Sequence, residues 1–310
     1  MNAVSGPISN RKDIPEISSG TIPDRGKYDA QADENRVIGA NVDFYRQIAG
    51  KYDRYETYVF DPLLQRGLED DLDKIGSYFV SLGRTPSCLE CGGGTGNLTL
   101  KMCARGWIVT VVDVSHEMLE LLREKACTLG YSPILIRSPI EQFLHATCEK
   151  FDLVAFSSVL HHLHSYTSVT EQAGSRLRPG GLFYSNYDPV VPKWPFWTWA
   201  FDSLDIALGK LIFDPVDVLP GIRRRLRKLF SPADSSLGRK VVSVGDIAEY
   251  HVRAGVDDQE IVRVLEKSGF AIVEHLRYAT GRTNAIRFLN ERLRLLESFK
   301  IIALRGQGPM

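Results

Sequence analysis

The chain has 310 residues, 44% of them hydrophobic, so it is long enough to bury a substantial core. Lysine and arginine together number 38, as do aspartate and glutamate, which excludes a net charge that would draw the whole surface to nucleic acid or an anionic membrane. No run reaches the roughly 18 uncharged apolar residues of a membrane span, and residues 1–35 contain no apolar signal-peptide core. We therefore expect a cytoplasmic protein without a transmembrane segment.

The elements predicted first along the chain are helices. Residues 1–35 are polar and are expected to be flexible, and the spacing of Phe44, Ile48 and Tyr52 predicts cap helices within residues 36–80. The hydrophobic period then changes. A short strand, "SCLECG", precedes a helix, "NLTLKMCARG", that ends at Gly106, and "IVTVVDVS" is rich in the β-branched residues of a second strand.

The alternation of helix and strand continues to about residue 190. A helix, "HEMLELLREKACTLG", is followed by "SPILIRS", "FDLVAFSSV" and "GGLFYSNYD" as strands three, four and five. Near the end, a helix, "QEIVRVLEKSGF", precedes two strands, "AIVEHLRYA" and "FKIIALR", which are separated by roughly 20 residues and predict a hairpin. Strands that alternate with helices predict a doubly wound α/β fold whose mostly parallel sheet is covered on both faces.

This pattern divides the chain into a core and an insertion. Residues 81–190 form the predicted core, and residues 257–310 complete its sheet. Between them, residues 191–256 lack the alternation and contain an aromatic cluster and a basic run at residues 223–228, so we interpret them as a helical lid that contributes to the substrate site. The basic run is typical of a solvated helix face, although it could also meet a phosphate, an acidic carrier domain or a lipid surface.

Five scattered cysteines are expected to be reduced thiols. Cys88 and Cys91 form a single C-x-x-C motif, but an offset of three on a strand sends the two side chains to opposite faces. The histidines at 161, 162 and 164 have no aspartate or cysteine at ligand spacing nearby. No metal site is predicted.

The stretch "CLECGGGTGNL", residues 88–98, is the strongest functional signal. A strand that feeds a glycine-rich turn into a helix is a general nucleotide-binding arrangement, because the missing side chains allow the ligand to approach the backbone. The third glycine of a dinucleotide fingerprint would fall on Asn97, and the terminal Gly-Lys-Ser/Thr of a P-loop is absent. The pattern is instead an acidic residue, Glu90, followed by glycines at alternate positions, Gly92, Gly94 and Gly96.

With this motif the chain resembles the class I S-adenosylmethionine-dependent methyltransferases, from about residue 44 to residue 305. The resemblance implies a seven-stranded Rossmann-like sheet and S-adenosyl-L-methionine as the cofactor. It places Asp113, at the end of strand two, on the ribose hydroxyls, Val114 and Met118 beside the adenine, and Glu90 near the ammonium group. The acidic residue often found after strand three is missing here, where Pro139, Ile140 and Glu141 stand instead. The cofactor-binding candidates are Tyr45, Tyr52, Glu90, Gly92, Gly94, Gly96, Asn97, Asp113, Val114, Met118, Ile140, Glu141, Ser157 and His162.

The acceptor side is predicted from fewer signals. His161 and His251 are the candidate general bases, because histidine titrates near neutral pH, although a structural role is an alternative for both. The substrate-binding candidates are Tyr187, Trp194, Trp197 and Tyr250. The aromatic insertion favours a small or medium-sized, partly hydrophobic acceptor over a nucleic acid, including a lipid-like or carrier-bound one.

Three functions remain open from the sequence. The first is methyl transfer to oxygen, nitrogen or carbon of such an acceptor. The second is another reaction on the same fold, a rearrangement or a decarboxylation, and the third is a non-catalytic partner that binds the cofactor.

Overall fold

The computed structural model describes residues 30–49, 52, 61–191, 255–280 and 284–306. Its strands form one seven-stranded sheet. The strands are β1 (Ser87–Cys91), β2 (Ile108–Asp113), β3 (Ile134–Arg137), β4 (Phe151–Ser157), β5 (Leu177–Pro189), β6 (Phe270–Tyr278) and β7 (Ser298–Arg305).

The sheet has the strand order β3-β2-β1-β4-β5-β7-β6. The pairs among β1 to β5 are parallel, whereas β7 is antiparallel to both β5 and β6. The doubly wound fold and the C-terminal hairpin pairing predicted from the sequence are therefore confirmed. The chain runs from β1 outward to β2 and β3 and then crosses back to β4 on the other side of β1. The strand order therefore reverses beside β1, which opens a crevice at the carboxyl ends of these strands.

Helices cover both faces of this sheet. They are α1 (Ala30–Ile48), α2 (Pro62–Ser81), α3 (Asn97–Ala104), α4 (His116–Thr128), α5 (Ile140–Ala146), α6 (Tyr166–Ser175), α7 (Asp258–Lys267) and α8 (Asn284–Leu293). Helix α1 begins inside the segment 1–35 that was predicted to be flexible. The sequence prediction also missed α8, which lies in the connection between β6 and β7.

Two hydrophobic clusters, one on each side of the sheet, make up the core. Side chains of α2, α3 and α4 pack against one face, and side chains of α5, α6 and α7 pack against the other. Cys88 belongs to the first cluster and Cys91 to the second, as their spacing on a strand predicted. Both cysteines are fully buried and free.

A bulge in β5 changes the predicted position of Tyr187. The register with β7 shifts between Asn186 and Asp188, and Tyr187 has a φ of +67°, in the left-handed region. The bulge turns the Tyr187 ring into the cluster beneath α2, where its hydroxyl donates to the Leu64 carbonyl oxygen at 2.6 Å. Tyr187 is 4% exposed and is thus buried among the described residues, and its assignment to the substrate site stays a prediction.

The predicted lid lies outside the described residues, apart from its ends. Its two ends meet, because Val190 and Val256 form a parallel bridge and the Val191 amide donates to the Val256 carbonyl oxygen. The part that the structure does not describe contains several predicted features of the lid: Trp194, Trp197, Tyr250, His251 and the basic run at residues 223–228. Among the helices described, none has the length and apolar character needed to cross a bilayer.

Candidate functional site

A cleft of about 1010 Å³, including solvent at its mouth, opens at the carboxyl ends of β1, β2 and β4. Of the fourteen predicted cofactor residues, thirteen line it: Tyr45, Tyr52, Glu90, Gly92, Gly94, Asn97, Asp113, Val114, Met118, Ile140, Glu141, Ser157 and His162. Gly96 does not line the cleft; it has a φ of +94°, and a Cβ there would lie 2.3 Å from Leu122 Cδ1 on α4. The structure thus brings the candidates from five separate motifs to one place.

Glu90 is a buried carboxylate at the end of β1. It is 1% exposed, and Thr99 of α3 donates a short hydrogen bond to its Oε2. Burial raises the pKa of Glu90 from its ordinary value of 4.5 to about 8, with a further increase from Asp113 and an opposing effect of the Thr99 hydroxyl. A cation that entered the cleft beside Glu90 would favour its ionised form.

The glycine loop approaches the sheet so closely that one side chain is excluded on steric grounds alone. A Cβ on Gly93 would lie 2.2 Å from Val111 Cγ1 of β2. The φ of Gly93 is not in the left-handed region, so its backbone conformation alone would allow other residues. Gly94 differs, because its φ is +51° and no atom lies within 4 Å of the position of its Cβ. Gly94 therefore leaves free space in the cleft, whereas Gly93 allows the loop to pack on β2.

We expect Gly93→Ala to lower the free energy of unfolding by about 2 kcal/mol, because the added methyl group collides with Val111. Thermal or urea unfolding of the full chain measures this loss. The double variant with Val111→Ala as well removes the collision, and it should be more stable than the sum of the two single changes predicts. Strict additivity of the two changes would contradict the steric explanation.

Asp113 fixes the loop to β2 from the end of that strand. Its Oδ2 accepts from the Gly94 amide at 2.9 Å and its Oδ1 from the Ser115 amide at 2.8 Å. Burial raises the pKa of Asp113, while these backbone hydrogen bonds lower it. Each carboxylate oxygen has two lone pairs, so both oxygens keep acceptor capacity toward the cleft.

Helix α1 closes the cleft on the side of β4. A hydrogen bond of 2.7 Å joins Tyr45 Oη to His162 Nε2, and Asn41, one turn earlier, donates from Nδ2 to the His162 carbonyl oxygen at 3.3 Å. Further along α1, Arg46 Nε lies 3.3 Å from Glu117 Oε1 on α4. The helix is thus held at both sides of the cleft by polar contacts.

His161 does not line the cleft, although its ring centroid is only 3.9 Å from that of His162. Its Nδ1 is 2.7 Å from Asp188 Oδ1, and its backbone amide donates to the same oxygen at 3.1 Å. Asp188 is fully buried and follows the β5 bulge, which turns it toward His161. Within the described residues, the structure shows an oriented histidine beside the cleft rather than in it.

The charged groups of the lining are mostly acidic. Glu90, Asp113 and Glu141 contribute carboxylates, and the described lining contains neither lysine nor arginine. In the same described residues, no group of three histidine, cysteine or acidic side chains converges in a way that could hold a metal ion. This lining favours a ligand that carries positive charge.

Sequence reasoning missed several lining residues. They are Val37, Ile38, Asn41, Gly93, Thr95, Leu98, Pro139, Ser158, Val159, Leu163 and His164. Asn41 precedes Tyr45 by four residues, so the helical period would have placed both on one face of α1. Most of the others are direct neighbours of predicted residues.

Comparison with known proteins supports the resemblance to methyltransferases. Residues 89–185 match a family model described as a methyltransferase domain. The ubiquinone biosynthesis O-methyltransferase of Vibrio vulnificus strain YJ016 is 29% identical over 109 residues, which cover 35% of this chain and 46% of the relative. The tRNA 5-carboxymethoxyuridine methyltransferase of Escherichia coli K12 is 30% identical over 129 residues, or 39% and 46% of the two chains.

Two solved structures share the fold at low sequence identity. The N-methyltransferase NodS of Bradyrhizobium japonicum WM9, in complex with S-adenosyl-L-homocysteine, has a TM-score of 0.52 and 14% identity over 86% of this chain and 98% of its own. The magnesium protoporphyrin IX methyltransferase of Synechocystis PCC 6803, with the same ligand bound, has a TM-score of 0.51 and 14% identity. The match covers 87% of this chain and 100% of that protein's chain.

The sequence matches span only about half the length of the curated relatives. The family model covers residues 89–185, which contain β2, β3 and β4 and parts of β1 and β5. The match of residues 89–185, the acidic and glycine-rich loop and the strand order together support a methyltransferase domain of the class I S-adenosylmethionine-dependent type in this chain.

Proposed function

We propose that the chain is an enzyme that transfers a methyl group from S-adenosyl-L-methionine to a small or medium-sized, partly hydrophobic acceptor. One observation carries the proposal: Glu90, the glycine loop and Asp113, from three separate segments, line a single cleft. The methyl group on the positively charged sulfur is the reactive group that the cofactor supplies.

The residues of the cleft fit this cofactor. Asp113 keeps acceptor capacity for the two ribose hydroxyls, and the apolar side chains of Val114, Met118 and Ile140 would contact the adenine. The acidic lining would favour the positive charges of the ammonium and sulfonium groups. Two buried polar atoms of the lining, Asn41 Oδ1 and Asn97 Nδ2, have no hydrogen-bond partner among the described residues, as expected of groups that a ligand completes.

The residues of this chain would contribute mainly orientation and the exclusion of water. Tyr45 and His162 would hold α1 over the ligand, and the Gly94 position would leave room for the ligand beside the backbone. An acceptor hydroxyl must lose its proton during transfer. His161, which Asp188 orients from the buried side, is our candidate for receiving that proton.

We expect Asp113→Asn to weaken the binding of S-adenosyl-L-homocysteine by about tenfold, because an amide has only one acceptor oxygen for the diol. The loss should be much smaller for the 2′-deoxyribose analogue of this ligand, which offers one hydroxyl fewer. Calorimetric titration of both ligands against both proteins measures the difference. An equal loss for the two ligands would show that Asp113 acts through the loop and does not contact the diol.

The relatives suggest two kinds of acceptor. Similarity to a ubiquinone biosynthesis O-methyltransferase favours a hydrophobic phenol or quinone precursor, and similarity to a tRNA methyltransferase makes RNA the second candidate. The balance of 38 basic and 38 acidic residues favours the first, because RNA binding usually requires an excess of positive charge.

A transfer experiment tests the proposal. The full chain is incubated with methyl-labelled S-adenosyl-L-methionine and, in separate reactions, with a polyprenylated catechol, with bulk tRNA and with fractionated metabolites. We expect label in a hydrophobic small molecule that gains one methyl group. Label in tRNA alone would overturn the acceptor class. A product of altered mass without the methyl group would indicate a rearrangement or decarboxylation, and binding without turnover in any fraction would indicate a non-catalytic partner.

A further inference from the structure

The strand order orients a ligand along the cleft. Ile140 lies after β3 and Asp113 at the end of β2, whereas Glu90 is the penultimate residue of β1 and His162 follows β4. A ligand whose nucleoside lies at the β3 and β2 side therefore points its other end toward β1 and β4. The protein groups at the β1 and β4 side, the second end of the cleft, therefore determine which chemical groups of a ligand can bind there.

Asn41 is the buried acceptor at the second end. The residue is 8% exposed, and its Nδ2 is used by the hydrogen bond to the His162 carbonyl oxygen. Its Oδ1 is buried in the cleft lining and accepts no hydrogen bond from any described residue. Leaving a buried carbonyl oxygen unpaired costs free energy, so the site is suited to a ligand that donates there.

Asn97 is the matching donor. It is the first residue of α3 and directly follows the glycine loop, and its buried Nδ2 has no acceptor among the described residues. The start of a helix also presents free backbone amides and a partial positive charge. Because the described lining contains no lysine or arginine, an anion in the cleft would depend on other donors, and these are two of them.

We propose that Asn41 and Asn97 recognise the amino-acid end of the cofactor, Asn41 accepting from its ammonium group and Asn97 donating to its carboxylate. The inference rests on the proposed function. It adds the side-chain atoms of the protein that would distinguish the complete cofactor from a nucleoside without an amino-acid end. Glu90, at the end of β1, supplies the opposite charge for the same ammonium group.

Three ligands of decreasing size test the proposal with the full-length chain. S-adenosyl-L-homocysteine has the complete amino-acid end, its decarboxylated form keeps only the ammonium group, and 5′-methylthioadenosine has neither. Calorimetric titration should show that Asn41→Leu weakens the binding of the first two ligands by at least about tenfold and leaves the affinity for the third nearly unchanged. Asn97→Ala should weaken only the first ligand.

Two control variants separate ligand recognition from a structural role of α1. Asn41→Asp keeps the acceptor and loses the bond to His162, so it should bind S-adenosyl-L-homocysteine better than Asn41→Leu does. Arg46→Gln breaks the exposed contact with Glu117 and should leave the ratios among the three ligands unchanged. Equal losses for all three ligands, or no loss, would overturn the proposal. Failure of the unsubstituted chain to bind any of them would instead overturn the proposed function.

Discussion

Glu90→Gln is expected to stabilise the ligand-free protein at pH 8 and at the same time to weaken its binding of S-adenosyl-L-methionine by about a hundredfold. The amide keeps the shape of the carboxyl group and its hydrogen bond with Thr99, but it cannot ionise. A buried charge that has lost its partner typically costs 2 kcal/mol or more, about the size of the affinity loss expected for the ammonium group.

The sign of the stability effect follows from the raised pKa of Glu90. Folding raises that pKa from 4.5 to about 8, so the folded state binds the proton more tightly than the unfolded state. The stabilisation is complete below pH 4.5 and is lost as the pH rises toward 8. Glutamine cannot ionise, so the variant does not lose this stabilisation. We expect it to gain about 3 to 4 kcal/mol of stability relative to the unsubstituted protein between pH 5 and pH 8.

Thermal unfolding over this pH range and calorimetric titration of the cofactor measure the two effects. Thr99→Val is the matched control, because removing the hydroxyl raises the pKa of Glu90 further without removing the carboxylate. The affinity of Thr99→Val for the cofactor should reach that of the unsubstituted protein only at a higher pH, where Glu90 ionises. A Glu90→Gln variant that bound the cofactor normally would show that this carboxylate does not contact the ammonium group.

Lys300→Met is expected to lower the free energy of unfolding by about 3 kcal/mol, because it leaves a buried aspartate without its cation. Lys300 Nζ of β7 lies 2.6 Å from Asp71 Oδ1 of α2 and 2.7 Å from Glu274 Oε1 of β6. Asp71 is 2% exposed, and burial raises its pKa against the lowering effect of Lys300. The interaction thus connects α2 to the antiparallel edge of the sheet.

Urea unfolding at pH 7 measures the loss for Lys300→Met. The double variant with Asp71→Asn removes both charges and should recover most of the stability, whereas Lys74→Gln, at an exposed position next to Asp71, should change it little. A double variant as unstable as Lys300→Met would contradict an electrostatic origin of the effect.

The cleft was predictable because short-range patterns place its residues. Glu90 and Asp113 lie at the carboxyl ends of apolar strands. Parallel strands bring these ends to one edge of the sheet, so two local motifs determine a shared site. The same argument predicted that the final two strands pair with each other. It did not predict that β7 lies between β5 and β6, since strand order depends on packing between distant segments.

The sequence could not predict features that depend on one residue or on tertiary contacts. Tyr187 continues an alternating strand pattern, and only the bulge, which depends on pairing with β7, turns its ring toward α2. Asn41 is one polar residue on a helix, and its importance comes from burial against His162, far away in the chain. Helix α8 is short and lies in a connection that the strand pattern left unassigned.

The central claim is that Glu90, the glycine loop and Asp113 form one binding site for S-adenosyl-L-methionine. Calorimetric titration of the full chain with this cofactor tests it most directly. We predict saturable binding of one cofactor per chain, competed by S-adenosyl-L-homocysteine and lost in the double variant Glu90→Gln, Asp113→Asn. Absence of binding heat at any temperature tried, or binding that this double variant retains, would contradict the claim.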